Sequence, residues 1–325
     1  LVSPTLCPQV YTLPGNLSAN SSLNYVILRH YNHTGRLQNR NTSNVYPHLS
    51  GSRLFFLCLS VFITLENLLV LGYIHHSRRW VYICIANITL SDLLTGTAYV
   101  VNICLSGSTT FHLSLPLWLF REGMLFVALA ASIFGLLLIA VERYLTMIRP
   151  LPQKSARKSY CRIFSLVALS WFMALVIGFL PLLGWNCICS MEECSTLLPL
   201  YSKSYIFFSL LIFFFILLTI GVLYAAIYCH VHRSTQLGQQ HSRKRSVALL
   251  KTVVTIVGVF ILCWGPLFTL LLVDFFCDSR QCPILFSADI CICLAVLNSG
   301  LNPIIYALGS SEMRKAMAKL LCCSC

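Results

Sequence analysis

Charge is scarce in this chain of 325 residues: only 10% are Asp, Glu, Lys or Arg, and the acids number ten. A soluble globular chain carries roughly 25% charged residues. The polar surface that one water-soluble domain needs is therefore missing, although the length alone would allow about two. Also missing are an internal repeat of solenoid or transporter type and a recognisable cleavable signal peptide. The sequence starts at Leu1 and stops at Cys325, and either end is read as open. What fills the chain instead is apolar, with 57% hydrophobic residues and a mean hydropathy of +0.78. That composition implies a polytopic membrane protein. The seventeen cysteines lie mostly inside apolar runs, where Cys behaves as a small hydrophobe rather than as half of a disulfide scaffold.

About 20 mostly apolar residues in a helix cross the hydrocarbon core. Seven stretches qualify, at about 54–74, 81–105, 118–141, 163–183, 204–229, 252–273 and 286–308. The fourth, fifth and sixth hold no Asp, Glu, Lys or Arg. The predicted fold is an all-α, seven-transmembrane helix bundle over 54–308, preceded by an extracellular cap at 1–53 and followed by a cytoplasmic segment at 309–325. The net charge of +13 belongs to this topology and not to nucleic acid. Links one, three and five and the tail hold fifteen Lys and Arg against the single acid Glu312, whereas links two, four and six hold Lys203 and Arg280 beside four acids. The positive-inside rule then places the tail in the cytoplasm and the N-terminus outside. Four N-x-S/T acceptors, Asn16, Asn20, Asn32 and Asn41, fall in the same outer segment and are expected to be glycosylated. Asn87-Ile-Thr matches too, but lies within the second span.

Ionisable groups inside a span usually face a cavity or a partner. Asp92 sits at mid-span in Asn87-Ile-Thr-Leu-Ser-Asp92, which favours a cation site or a switch over packing. Glu66 lies in the first span. Arg121, Glu122 and Asp289 lie near the outer boundary. Arg121 and Glu122 project about 100° apart on a helix, so one can face the bundle while the other lines the rim. Together they suit a zwitterionic amphiphile with an anionic head, an amine and a long tail; a mutual or interfacial salt bridge fits the spacing equally well. Glu142-Arg143-Tyr144 ends the third span, where a neighbouring acid can hold the arginine. Cys263-Trp264-Gly265-Pro266 and Asn302-Pro303-Ile304-Ile305-Tyr306 put a proline inside the sixth and seventh spans, removing a backbone hydrogen bond at each.

These motifs, in this order and in these spans, resemble the rhodopsin-like G-protein-coupled receptors over essentially the whole chain, with Asn67, Asp92, Trp171 and Tyr224 fitting the same pattern. Departures from that class narrow the resemblance. Glu142 stands where Asp is commoner, the fifth span has no proline, and Trp118 replaces a disulfide cysteine at the outer end of the third. Tyr31-Asn32-His33-Thr34-Gly35-Arg36-Leu37, Arg121-Glu122-Gly123 and Leu182-Leu183-Gly184-Trp185-Asn186-Cys187 resemble the sphingosine 1-phosphate receptors. Arg78-Arg79-Trp80-Val81-Tyr82, Asn87-Ile88-Thr89-Leu90 and the extra Cys189 look most like one subtype of that family.

The resemblance implies a set of roles. Tyr31 and Arg36 of the cap and Arg121 bind the phosphate, and Glu122 pairs with the sphingoid ammonium. Phe126, Leu129, Trp264, Phe268 and Leu271 line the tail pocket. Asp92, Ser132, Asn298, Ser299 and Asn302 form a sodium pocket, the one ion or cofactor expected. Glu142, Arg143, Tyr224, Trp264, Pro266, Pro303 and Tyr306 form the activation switch. Each outer loop closes on itself, Cys187 with Cys194 and Cys277 with Cys282, which leaves Cys189 odd. The implied partners are sphingosine 1-phosphate, heterotrimeric G proteins of the Gi and G12/13 types, arrestins and membrane lipid, at the plasma membrane, with a basic third inner loop around Arg243-Lys244-Arg245.

Past the seventh span, Ser310 to Leu321 reads as a short amphipathic helix on the inner leaflet, with Cys322, Cys323 and Cys325 as palmitoylation candidates. An enzyme is not expected, because His-x-x-x-His, Gly-x-Ser-x-Gly and paired mid-depth carboxylates are all lacking. A retinal protein needs a lysine in the last span, and 286–308 has none. The nearest alternative is a receptor for another lipid, of lysophosphatidic acid or cannabinoid type.

Overall fold

A long apolar segment in hydrocarbon can satisfy all its backbone groups by itself only as a helix. The computed structural model shows helices accordingly, and it describes residues 24–33, 51–77, 83–148, 156–236, 240–277 and 288–309. A short α1 (Tyr25–His33) precedes seven long helices: α2 (Gly51–Ser77), α3 (Ile83–Cys104), α4 (Leu115–Ile148), α5 (Ala156–Phe179), α6 (Lys203–Gln236), α7 (Gln240–Phe276) and α8 (Ala288–Gly309). All seven are long and apolar enough to cross a membrane. Among the described residues the only extended pairing is an isolated bridge between Cys194 and Ser202. Asn16, Asn20, Arg36, Asn41, Cys282, Cys322, Cys323, Cys325 and the segment Ser310–Leu321 lie outside the described residues.

The helices α2, α4, α6 and α7 overrun the expected spans, whereas α3 lies just inside its span and α5 starts early but stops at Phe179, short of the expected 183. The third span was expected to end near residue 141, yet α4 continues to Ile148. The basic inner loop expected around Arg243-Lys244-Arg245 is the opening of α7, which begins at Gln240, while α6 extends to Gln236. Hydropathy marks where the lipid ends, whereas backbone hydrogen bonding continues wherever the sequence allows a helix. Polar side chains within the spans bond locally for the same reason. Ser60 donates to the Phe56 carbonyl, Thr64 to Ser60, Thr89 to Ile85 and Thr219 to Phe215, each four residues back.

The third span, α4, is the central pillar. Two thirds of its most apolar window is buried (67%), against 22% for α2. Large side chains turn outward where lipid would lie, with Phe164, Phe172 and Leu262 all more than 60% exposed. Trp171 of α5 donates its indole N–H to Asn87 Oδ1 at 2.9 Å, binding α5 to α3. At the α4–α5 crossing, glycines permit close backbone approach. A Cβ at Gly178 would stand 2.7 Å from the Val127 backbone nitrogen, and one at Gly123 would stand 3.0 Å from the Gly178 carbonyl oxygen.

Prolines sit inside α7 and α8 without ending either helix. Pro303 has no N–H to offer the carbonyl four residues earlier, that of Ser299. Asn67 supplies the replacement, donating from Nδ2 to the Ser299 oxygen at 3.2 Å. The same contact ties α2 to α8.

Gly178→Ala is expected to destabilise the purified protein by about 1–3 kcal/mol, the usual cost of overpacking, because the obstacle is backbone rather than a mobile side-chain tip. Thermal unfolding in detergent checks this, and an unchanged midpoint would show that the α4–α5 crossing is looser than described.

Candidate functional site

The half of the bundle that carries α1 encloses a cavity of about 330 Å³, floored by Trp264 and walled by α3, α4, α7 and α8. Its polar groups gather at the top of α4. Arg121 is 6% exposed, and its Nη2 lies 2.6 Å from Glu122 Oε1, with Nε at 3.0 Å from the same oxygen. Asn102 of α3 donates a third bond to that oxygen at 2.9 Å. The guanidinium also donates to the Leu105 carbonyl at 3.0 Å and sits 5.5 Å from the centre of the Trp118 ring. The two side chains therefore do not diverge as adjacent helix positions suggested. The long arginine stem folds back on its neighbour, since a buried charge without a partner would be far costlier. Of the two sequence readings, the structure contains the mutual ion pair, and it places that pair on the cavity wall.

Below this pair the lining is apolar. Phe126, Leu129, Trp264, Phe268 and Leu271 all face the cavity, as expected for a tail pocket. Phe126 stacks on Tyr201 at 5.0 Å, and Trp264 packs against Phe268 at 5.7 Å. Several lining residues were not foreseen, among them Asn102, Ser106, Thr110 and Trp118. Asn102 lies ten positions after Asp92 in the second span, a polar residue at depth that carried a readable signal. Ser106 and Thr110 depended on how link two folds, and Trp118, in the first turn of α4, had been noted only as the replacement for a cysteine.

The roof comes from two segments. In α1, Asn24 caps the helix by accepting the Val26 N–H on Oδ1 at 3.2 Å, and anchors it by donating Nδ2 to the Leu113 carbonyl at 3.1 Å. This brings Tyr31 onto the cavity, with its ring edge-on to Phe111. His30, fully buried, accepts the Leu200 N–H on Nε2 at 3.2 Å; Leu200 is left-handed, with φ 61°. Link four supplies Leu197, Leu198 and Pro199. It is held by Asp274 at the outer end of α7, a carboxylate 1% exposed. Asp274 accepts the Ser195 hydroxyl on one oxygen and the Thr196 N–H at 3.0 Å on the other. Ser195 in turn accepts the Leu198 N–H at 2.9 Å. Burial beneath this roof pushes the Tyr201 phenol well above its usual pKa, and the nearby Glu122 charge adds to the rise.

Deeper in the bundle, Asp92 is fully buried and accepts Asn302 Nδ2 at 2.8 Å on Oδ2, while Oδ1 has no hydrogen-bond partner. Ser132, Asn298 and Ser299 are likewise buried. Glu66, a second buried carboxylate, reaches Gly300 of α8, where a Cβ would stand 3.1 Å from Oε1. At the inner end of α4, Glu142 Oε2 lies 3.4 Å from Arg143 Nε and Glu142 Oε1 accepts the Thr146 hydroxyl. Tyr224 and Tyr306 have buried hydroxyls without hydrogen-bond partners. Pro266 and Pro303 lie in α7 and α8 as described. Cys187 and Cys194 form a disulfide with Cα atoms 5.3 Å apart. Cys189, expected to be left over, is itself disulfide-bonded, and so is Cys277. Asn32, on α1, is exposed.

The family model described as "7 transmembrane receptor (rhodopsin family)" matches residues 66–306. Sphingosine 1-phosphate receptor 3 of Takifugu rubripes is 48% identical over 308 residues, covering 93% of this chain and 79% of the relative. Sphingosine 1-phosphate receptor 1 of Danio rerio is 46% identical, covering 92% and 84%. Sphingosine 1-phosphate receptor 4 of Homo sapiens is 46% identical and covers 100% of this chain and 83% of its own length.

Asp274→Ala would leave the Ser195 hydroxyl and Thr196 N–H buried without an acceptor, costing about 1–3 kcal/mol. Asp274→Asn keeps one acceptor and should cost less. Thermal unfolding of both variants beside the native protein orders them; equal midpoints for all three would remove Asp274 as the anchor of the roof.

Proposed function

The chain belongs to the sphingosine 1-phosphate receptors, within the rhodopsin family of seven-transmembrane receptors, and on that premise we propose that it binds sphingosine 1-phosphate and signals through heterotrimeric G proteins. The observation that carries this reading is the Arg121–Glu122 pair, one cation and one anion 2.6 Å apart at the top of an apolar cavity. A ligand with a phosphate, an ammonium and an alkyl tail can exchange that internal pair for two external ones, phosphate on Arg121 and ammonium on Glu122. No buried charge is left alone at the end. Charge-assisted bonds of this kind are the strong ones. Lysophosphatidic acid has a phosphate but no amine and would strand Glu122, which is how a site rejects a near relative. Tyr31 from the roof, and Arg36 beyond the described residues, are proposed to complete the phosphate cradle.

The charge asymmetry of the links and the clustered acceptors Asn16, Asn20, Asn32 and Asn41 support an outer N-terminus at the plasma membrane, with glycans there and palmitate on Cys322, Cys323 or Cys325. Coupling to Gi and G12/13 types and to arrestins rests on the family alone. Subtype 4 is the favoured subtype, on the alignment of the whole chain and on Cys189. Asp92, Ser132, Asn298, Ser299 and Asn302 are the residues that would hold a sodium ion. The buried Asp92 Oδ1, without a hydrogen-bond partner, suits a small hard cation, and sodium there would favour the packing with low agonist affinity.

Two measurements test these assignments. In paired dose–response curves, Arg121→Ala should weaken sphingosine 1-phosphate by the equivalent of about 2–5 kcal/mol, the cost of truncating one partner of a buried charge pair. Glu122→Gln should weaken sphingosine 1-phosphate by about tenfold, which is about 1.4 kcal/mol, while lysophosphatidic acid gains potency. If Glu122→Gln leaves both curves in place, Glu122 is only a salt-bridge partner and the headgroup assignment fails. For the ion, Asp92→Asn should abolish any lowering of agonist affinity by sodium while surface expression persists. An equal sodium effect in native and mutant receptors excludes the site.

A further inference from the structure

The cysteines on the outer face do not close their accounts within the described residues. There the one disulfide with both halves in view is Cys187–Cys194, and eight other cysteines are free thiols. Cys189 and Cys277 are each disulfide-bonded as well, so each has its other half outside the described residues. The cysteines outside them are Cys7, Cys282, Cys322, Cys323 and Cys325.

Topology removes three of these. Link four and the outer end of α7 share one face of the bundle, because Thr196 donates to Asp274. The N-terminal helix is on that face too, because His30 accepts from Leu200. Seven is an odd number of spans, so the chain leaves α8 at Gly309 on the opposite face, with the membrane between Cys189 and the last three cysteines. Cys7 and Cys282 remain to serve Cys189 and Cys277.

Proximity chooses between the assignments. Cys277 and Cys282 are five positions apart in one link. A nitrogen of His30 in α1 lies within 4.8 Å of both sulfurs of the Cys187–Cys194 bridge, so the N-terminal segment already rests on the loop that carries Cys189. That cysteine is exposed on the outer surface. Cys7 precedes Asn24 by seventeen residues, a reach of up to about 56 Å at 3.3 Å per residue.

We propose that Cys189 is bonded to Cys7, a covalent strap between the segment before α1 and link four. The bond forms as two thiols give up two protons and two electrons to a disulfide-bearing oxidoreductase of the secretory lumen, which becomes a dithiol. The strap keeps α1 at high effective concentration over its docking site, because a detached α1 can move no farther than its tether allows. It does not depend on the identity of the ligand.

The receptor, carrying an epitope on the N-terminal side of Cys7 and a protease site inserted after Gly15, tests the strap on intact cells. After cleavage the epitope should stay with the receptor in non-reducing gels and leave it only on reduction. In Cys189→Ser it should leave without reductant, and in Cys277→Ser it should stay. Loss of the epitope from the native receptor without reductant would overturn the proposal. So would release in Cys277→Ser but not in Cys189→Ser, because Cys7 would then be bonded to Cys277. Should a variant fail to reach the surface, non-reducing peptide mapping of the native receptor decides. A linked peptide containing Cys7 and Cys189 supports the strap, and Cys7 recovered as a free thiol or linked to Cys277 or Cys282 refutes it.

Discussion

Hydrocarbon offers no hydrogen bonds, so every polar group carried into the membrane must find its partner inside the protein. Much of this structure follows from that constraint. Hydroxyls bond to carbonyls one turn back. The carbonyl that Pro303 abandons is taken up by Asn67, and Trp171 finds Asn87. The charges obey the same rule at higher stakes, with Arg121 against Glu122 and Arg143 against Glu142. Ten percent charge is what a bundle can carry when each buried charge needs a counter-charge or a web of donors around it.

The outer face is held by a different economy of contacts. Its segments share an apolar cluster in which Val26, Ile27, Ile188, Leu197 and Leu200 are buried against Leu270 and Leu271, and they are pinned further by a cap and anchor at Asn24, a backbone bond at His30, a buried carboxylate at Asp274 and the Cys187–Cys194 bridge. The cavity for a long-tailed guest thus lies between a floor on α4, α7 and α8 and a cover held by both apolar packing and a few directed bonds.

The spans were legible because the apolar length needed to cross a bilayer is a local property of sequence. The helix ends were not, since hydropathy changes at the lipid boundary and a helix need not; α4 and α7 both run on. The five residues that family likeness had nominated for a tail pocket, Phe126, Leu129, Trp264, Phe268 and Leu271, all line the cavity. Arg121 and Glu122 were found, but the 100° rule misjudged them, because it describes Cβ directions and not where a long side chain folds in search of a counter-charge. Asp274 passed as one acid of an outer link, since its role depends on donors from Ser195 and Thr196, 78 or more residues away. Cys189 looked odd for the same reason. A bond to a distant segment leaves no local trace.

The two ends of α4 raise the question of how one informs the other. Each carries an adjacent Arg–Glu pair, and Glu122 and Arg143 are 21 positions apart, about 30 Å along a helix. At an effective dielectric of 20, two unit charges at that distance interact by only about 0.5 kcal/mol. Pairs that already neutralise themselves interact by less. A change of partner at the outer pair therefore cannot reach the inner pair as an electrostatic signal; it has to travel as a change in packing. The groups between them identify where the packing is poised. Asp92 Oδ1, Trp264 Nε1 and the hydroxyls of Tyr224 and Tyr306 are buried without hydrogen-bond partners, as are Glu66 Oε1, Asn67 Oδ1, Trp118 Nε1, Arg162 Nε and Ser209 Oγ elsewhere in the spans. Trp264 stands on α7 and Tyr306 on α8, so a rearrangement of those two helices would give both atoms new neighbours. The prolines at 266 and 303 lie on those same two helices, where a missing backbone bond lowers the cost of moving.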